Sequence, residues 1–265
     1  MQLVSIEVAP VYTVYPGVLK YYRAEGISVS QALWSLWYWH TETINAWTMI
    51  INWFTTVGLG YWMAEDLGWL IPTICSTVVV CHMIASIGYH LFMPISESTA
   101  VFWRKLDVTM ILVFGVVWTV TLNYYVFNSL MVSGLGLMAT AVAAKKIHRL
   151  WWKCGSTHDQ QPEYIDLVVD YSFLIGMYLT GMVYMAVWEA DRIAQMYLAG
   201  SVGCLGVGGS LVVYGLPERL FPGKFDLIGN SHQLMHLFIV NTGRIIEMCF
   251  IWYAYVQRHK PSSQL

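Results

Sequence analysis

Long stretches free of Asp, Glu, Lys and Arg alternate along the chain with short clusters of charged residues. A helix needs about 20 apolar residues to cross roughly 30 Å of membrane hydrocarbon. The stretch 108–144 is long enough for two helices with a turn at 123–128. The pattern therefore predicts seven transmembrane helices within residues 46–63, 67–96, 108–144, 171–188, 193–217 and 228–255.

Composition supports a polytopic membrane protein. Of the 265 residues, 57% are hydrophobic and only 11% are charged, whereas a soluble domain carries about 25% charged residues. We expect one all-α domain over 1–265, with a cytosolic and interfacial segment at 1–44, a helical bundle at 45–256 and a short tail at 257–265. The aromatic residues at 34, 37, 38 and 39 precede the first span and predict a short interfacial helix.

The distribution of Lys and Arg predicts the orientation, because short cytosolic loops are enriched in these residues. Ten basic residues lie in the N-terminal segment and the even-numbered loops: Lys20, Arg23, Arg104, Lys105, Lys145, Lys146, Arg149, Lys153, Arg219 and Lys224. Three basic residues lie on the opposite side of the membrane in this topology. The N-terminus is therefore predicted to be cytosolic and the C-terminus outside. A net charge of −2 without a basic stripe argues against nucleic acid as a partner.

This topology brings a few polar residues to one depth in the inner leaflet. His90 lies toward the cytosolic end of the second span, Asp107 opens the third, and His232 and His236 open the seventh. Two His four residues apart share one helical face, a spacing that zinc sites use. A third His would complete a catalytic zinc site, in which Asp107 would orient a water or act as general base. Spacing alone also fits hydrogen-bonded packing residues and leaves metal binding open.

Other intramembrane or mouth-lining polar residues have structural interpretations. Arg244 and Glu247 lie three residues apart in the last span and predict an ion pair that faces the bundle. Glu42 and Asn45, at the cytosolic mouth of the first helix, are interpreted as groups that satisfy neighbouring backbone.

Four motifs resemble the progestin and adipoQ receptor family, which includes adiponectin receptors, membrane progestin receptors and bacterial hemolysin III proteins. Residues 35–48 read SLWYWHTETINAWT, residues 86–90 match S-x-x-x-H, and residues 105–107 read KLD. Residues 217–226 read PERLFPGKFD and are followed by SHQLMH at 231–236. This last block is long and specific to the family, and the resemblance covers nearly the whole predicted bundle.

The resemblance implies a seven-helix bundle with a cytosolic N-terminus and a zinc ion bound by His90, His232 and His236. It places Asp107 and Ser86 around the zinc-bound water as the catalytic groups. Adiponectin receptors are linked to ceramide hydrolysis, whereas membrane progestin receptors are described as steroid-responsive. The resemblance therefore implies a zinc-containing receptor for a lipid or steroid, with zinc-dependent lipid-amide hydrolysis as its activity. The alternative is a non-enzymatic steroid receptor with a structural zinc.

The sequence departs from the family pattern at two positions. Met49 stands where the family has His after W-T, and Val108 follows Asp107 where the family has Tyr. Both departures weigh against an adiponectin receptor in particular. We expect a multi-pass protein of the plasma membrane rather than of an internal membrane, with a protein effector on the cytosolic side as a further candidate partner.

Overall fold

A computed structural model describes residues 2–152 and 163–259, so that Lys153 and the tail residues 260–265 lie outside the described part. The described chain is mostly helical. Its α-helices are α1 (Val29–Trp34), α2 (Thr43–Leu67), α3 (Leu70–Phe92), α4 (Glu97–Asn123), α5 (Ser129–Trp152), α6 (Glu163–Val183), α7 (Arg192–Tyr214), α8 (Ser231–Met235) and α9 (Arg244–His259).

Six helical segments of the described chain are long and apolar enough to cross a membrane. They are Leu70–Phe92, Glu97–Asn123, Ser129–Trp152, Tyr171–Trp188, Arg192–Tyr214 and Ser231–His259. The turn predicted at 123–128 is confirmed, because α4 ends at Asn123 and α5 begins at Ser129. The first predicted span lies in α2, whose 25 residues give a length of about 37 Å. Helix α2 is not among the six, and it contains polar residues such as Asn45 and Asn52.

The chain divides into two compact units, and five helical runs contribute residues to both. The first unit contains Met1–Asn52, Met83–Val108 and Cys204–Thr242, and the second contains Trp53–His82, Thr109–Gly203 and Gly243–Leu265. The organisation as a single domain stays a prediction.

The N-terminal segment of the first unit has a small fold of its own. Strands β1 (Leu3–Val4) and β2 (Tyr22–Arg23) pair antiparallel, with Val4 opposite Tyr22. Tyr22, Val18 and Ala9 form a small hydrophobic core in this segment. The all-α prediction did not include these strands, because two residues are too few to show the alternation that indicates a strand.

A short helix precedes the first long one, as predicted. Helix α1 begins with a capping box between Ser28 and Gln31, and a 3₁₀ turn follows at Ser35–Trp37. The side chains of Trp34, Trp37, Tyr38 and Trp39 are all more than half exposed. This aromatic surface has the composition expected for contact with lipid headgroups.

The core of the second unit contains large apolar side chains, among them Trp118, Met182 and Phe250, which are fully buried. Close approach of α4 and α6 depends on Gly115, where a Cβ atom would lie 3.3 Å from the Leu174 side chain. Asn123 adds a polar contact between the same helices, because its Nδ2 donates to the Met177 carbonyl at 3.2 Å. Small residues and interhelical hydrogen bonds are the usual means of packing helices in membranes.

The last helical run is not uniform. Between α8 and α9 the backbone is π-helical over His236–Gly243, and the side chain of Asn241 donates to the His236 carbonyl at 3.0 Å. The sequence predicts an ordinary α-helix here, since nothing in the apolar pattern marks an extra residue per turn. π-Helical segments are rare and occur frequently at functional sites.

Candidate metal centre

Three histidines of the first unit converge on one point. His90 lies in the last turn of α3, His232 lies in α8, and His236 begins the π-helical segment. Their candidate ligand atoms all lie within 4.8 Å of one another. His90 is fully buried, and His236 is only 3% exposed. His232 is partly buried. The cluster therefore offers three imidazole nitrogens to one ion at a largely buried place.

Hydrogen bonding selects the nitrogen that His90 presents to the cluster. Its Nδ1 lies 2.7 Å from Oε2 of Glu42, a carboxylate that can only accept, so Nδ1 carries the proton. The lone pair is then on Nε2, which is buried and has no hydrogen-bond partner among the described residues. A buried acceptor without a partner is costly, and a cation at the centre of the cluster would satisfy it.

His236 is oriented in the same way by Thr48. The Thr48 hydroxyl donates to the Asn45 carbonyl at 2.7 Å. Because its single proton is used there, Thr48 Oγ1 accepts from His236 Nδ1, which lies 2.9 Å away. The His236 lone pair is therefore also on Nε2. Imidazole ligands of metals commonly donate their second nitrogen to such an outer partner, and the two histidines fit that arrangement.

A family model described as haemolysin-III related matches residues 37–244, a range that includes the three histidines, Glu42 and Thr48. The chain belongs to this family. Mouse progestin and adipoQ receptor family member 3 is 27% identical over 261 residues, which cover 86% of this chain and 77% of the relative. Membership makes the protein a receptor-like, multi-pass membrane protein, and it confirms the family expected from the motifs.

Fungal and plant relatives show similar matches. The ADIPOR-like receptor IZH2 of Saccharomyces cerevisiae is 26% identical over 251 residues, covering 84% of this chain and 74% of the relative. Heptahelical transmembrane protein 1 of Arabidopsis thaliana is 23% identical over 276 residues, covering 84% of this chain and 72% of the relative.

The family block PERLFPGKFD…SHQ has a structural role in this protein. Glu218 is buried, and its carboxylate accepts hydrogen bonds from the backbone N–H and the hydroxyl of Ser231. Asn230 caps α8 by accepting from the N–H of Gln233 at 3.0 Å. The Gln233 side chain in turn donates to the Leu227 carbonyl at 2.9 Å. These contacts fix the start of α8 and thereby the position of His232.

Asp107 and Ser86 are the two residues expected to act on the substrate, and fewer contacts relate them to the cluster than relate the histidines to one another. Asp107 is partly buried in α4 and interacts electrostatically with His232. Ser86 is buried in α3, one turn before His90 and on the same helical face. Both residues lie in the first unit with the histidines, and their roles stay predictions.

The structure gives Glu42 a different partner from the backbone groups expected from the sequence. Its Oε2 accepts from His90 and from the Asn45 side chain at 2.7 Å. Its backbone N–H donates to Nδ1 of His40 at 3.1 Å. Burial raises the pKa of Glu42, but its interactions with His90, His232 and Asn45 outweigh this effect and hold the pKa at about 2. The family motif at residues 35–48 marks Glu42 in the sequence, but it does not indicate that His90 is its partner.

Arg23 holds the end of α3 from the N-terminal segment. Its guanidinium donates to the Leu91 carbonyl at 2.8 Å, to the His90 carbonyl and to the Ser35 hydroxyl. The side chain is buried, and this burial lowers the Arg23 pKa to about 10, which leaves it charged at neutral pH. A cation at a helix C-terminus interacts favourably with the exposed carbonyls, so Arg23 helps to fix His90.

Arg244 and Glu247 belong to the second unit and to no metal cluster found among the described residues. Both are only 5% exposed. The Arg244 guanidinium carbon lies 3.3 Å from the centre of the Phe114 ring, and it interacts electrostatically with Glu247. The structure adds the aromatic ring as a neighbour. Nε and Nη1 of Arg244 have no hydrogen-bond partner among the described residues, so the expected ion pair stays a prediction.

Proposed function

We propose that this protein is a zinc-containing receptor whose ligand is a membrane lipid or a steroid, and that it hydrolyses a lipid amide such as ceramide. The observation that carries the proposal is the convergence of three histidines, two buried and one partly buried, with ligand atoms within 4.8 Å. Their outer partners Glu42 and Thr48 support it, because they hold imidazoles in the orientation that coordination needs.

Zinc fits this set of donors. Hard cations such as Mg²⁺ and Ca²⁺ require oxygen ligands, whereas imidazole suits zinc, and three protein ligands with one open position are typical of catalytic zinc sites. When bound, zinc would lower the pKa of a water molecule and polarise a carbonyl group.

The remaining chemistry belongs to residues of the chain. A carboxylate oxygen of Asp107 would accept the proton of the attacking water and would pass it to the amide nitrogen as the C–N bond breaks. Ser86 Oγ would donate a hydrogen bond to the lipid. Glu42 and Thr48 would keep the His90 and His236 rings fixed during this step.

We further propose seven spans with a cytosolic N-terminus, in the plasma membrane, with a protein effector on the cytosolic side. The length of α2 supports a seventh span, as does the description of the plant relative as heptahelical. Ten basic residues in the N-terminal segment and even-numbered loops support the orientation.

Metal analysis of purified protein in detergent tests the site. We expect about one zinc per chain in the wild type, and almost none after the double substitution His232→Ala and His236→Ala. His148→Ala is the matched control, because His148 is an exposed residue of α5. A double variant that keeps its zinc contradicts the assignment.

Ceramide hydrolysis in lipid vesicles tests the activity. Asp107→Ala removes the proposed base and is expected to slow hydrolysis by about 100-fold or more. Equal rates for the variant and the wild type would exclude hydrolysis that depends on Asp107.

A second candidate is a non-enzymatic steroid receptor in which zinc is structural. The near-complete burial of His90 and His236 favours it, because structural zinc sites are closed to water. Steroid binding that persists in Asp107→Ala, without ceramide hydrolysis in the wild type, would establish this alternative.

A further inference from the structure

A tyrosine of the N-terminal segment lies against the histidine cluster. The ring centre of Tyr15 is 5.8 Å from that of His232, with the two planes inclined at 37°. Tyr15 is far from the histidines in sequence and lies outside the region that the family model matches. Nothing in the role of the three histidines as ligands accounts for a phenol at this position.

The backbone of Tyr15 is held firmly. Its N–H donates to the Tyr22 hydroxyl at 3.0 Å, and the Tyr22 hydroxyl donates to the Val18 carbonyl at 3.1 Å. Tyr22 is itself 1% exposed. Tyr15 is therefore part of a folded turn, and its side chain is positioned in advance.

The same turn is fixed to the loop that precedes α8. Gly17 has a φ of +94°, and a Cβ atom there would lie 2.5 Å from the Glu218 carbonyl oxygen, so only glycine fits. The Gly17 carbonyl accepts from the N–H of Gly223 at 3.0 Å. The N–H of Leu19 donates to Asp226 Oδ1 at 2.8 Å. One loop thus positions both Tyr15 and His232.

The hydroxyl end of Tyr15 lies near the polar groups of the site. It interacts with Glu42 and with Tyr89. Oε2 of Glu42 already accepts from His90 and from Asn45. A phenol here can donate a hydrogen bond without competing as a base, because its ordinary pKa is near 10.

We propose that the Tyr15 hydroxyl donates a hydrogen bond to the polar group of the ligand held beside His90, His232 and His236. The inference rests on the proposed metal centre and adds a binding residue from outside the family's matched region. A carbonyl or hydroxamate oxygen is the kind of acceptor that this donor suits. A hydrogen bond to charged oxygen is strong in such a water-poor place.

The test uses full-length protein in detergent, loaded with Co²⁺ and titrated with acetohydroxamate while the visible absorption of Co²⁺ is followed. Tyr15→Phe keeps the ring and removes the hydroxyl, and we expect roughly tenfold weaker acetohydroxamate binding. Tyr12→Phe is the matched control in the same segment, because the Tyr12 hydroxyl donates to Glu25 at 2.9 Å in an exposed position. We expect this control to bind as the wild type does.

Metal stoichiometry and the thermal unfolding midpoint are measured on all three proteins and are expected to be equal. If Tyr15→Phe binds acetohydroxamate as tightly as Tyr12→Phe, Tyr15 is a packing residue and the inference is wrong. If Tyr15→Phe loses Co²⁺, its role is structural, and the inference is likewise overturned. A wild type that binds neither Co²⁺ nor zinc would overturn the metal centre together with it, so the two failures are distinguishable.

Discussion

Two groups of buried polar residues, one in each unit, compensate for lost hydration in different ways. In the first unit, His90 and His236 use one nitrogen each to bind an outer partner and carry a lone pair on the other. In the second unit, Arg244 has an opposite charge three residues away and lies over the face of Phe114. The histidine group offers lone pairs to an external cation. The arginine group is itself a cation with an acidic residue one helical turn away, and its Nε and Nη1 have no hydrogen-bond partner among the described residues.

This difference separates binding sites from structural pairs better than burial does, since both groups are almost fully buried. A charged group in a membrane is commonly taken as functional. Here the more informative observation is whether a group of buried polar residues contains an opposite charge or presents several lone pairs to one point. The comparison therefore predicts opposite responses to substitution in the two units.

The largest effect is expected at Glu247. Glu247→Leu leaves the Arg244 cation buried without its carboxylate and should lower the free energy of unfolding by about 3–5 kcal/mol. The double substitution Arg244→Met and Glu247→Leu should recover most of this loss. Denaturant unfolding in detergent measures both changes, and zinc content should be the same in all variants because neither residue belongs to the histidine cluster.

An exposed ion pair in the same unit is the matched control. Arg258 donates to Glu189 at 2.5 Å, with both side chains about one-third exposed. Glu189→Leu should cost less than about 1 kcal/mol, because surface pairs contribute little. If Glu247→Leu is no more destabilising than Glu189→Leu, the aromatic face alone supports Arg244 and the interpretation as a charge pair is wrong.

Sequence predicted those features that depend on length, spacing and motif. The thickness of the hydrocarbon layer set the spans, and the turn between Asn123 and Ser129 followed from the length of one uncharged stretch. The convergence of His90 with His232 and His236 followed from the direction in which each span crosses the membrane. That reasoning needed only topology, and the three residues do meet.

Contacts between distant side chains could not be predicted in this way. Glu42 and His90 are 48 residues apart, and Thr48 and His236 are 188 apart, so no periodicity relates them. The π-helical segment at His236–Gly243 was equally hidden, because it changes the hydrogen-bond ladder without changing the apolar pattern. Such details depend on how the helices pack.

Glu42→Gln tests whether the histidine group depends on its outer carboxylate. Gln can still accept from His90 Nδ1, but it lacks the charge that makes the ring a better ligand. We expect zinc affinity to fall by about 10- to 100-fold, as measured by competition with a chelator. Glu25→Gln is the control, since Glu25 accepts from Tyr12 at an exposed position. Equal affinities for the two variants would mean that Glu42 does not tune the site.

The smallest effect is expected at Thr48, whose hydroxyl is a neutral partner. Thr48→Val keeps the shape of the side chain and removes the acceptor for His236 Nδ1, so the imidazole loses one hydrogen bond of about 1 kcal/mol and zinc affinity falls about fivefold. Thr140→Val is the matched control, because the Thr140 hydroxyl donates to the Gly136 carbonyl of its own helix at 2.7 Å. A decrease as large as that of Glu42→Gln would show that orientation of the rings, more than the charge of Glu42, governs metal affinity.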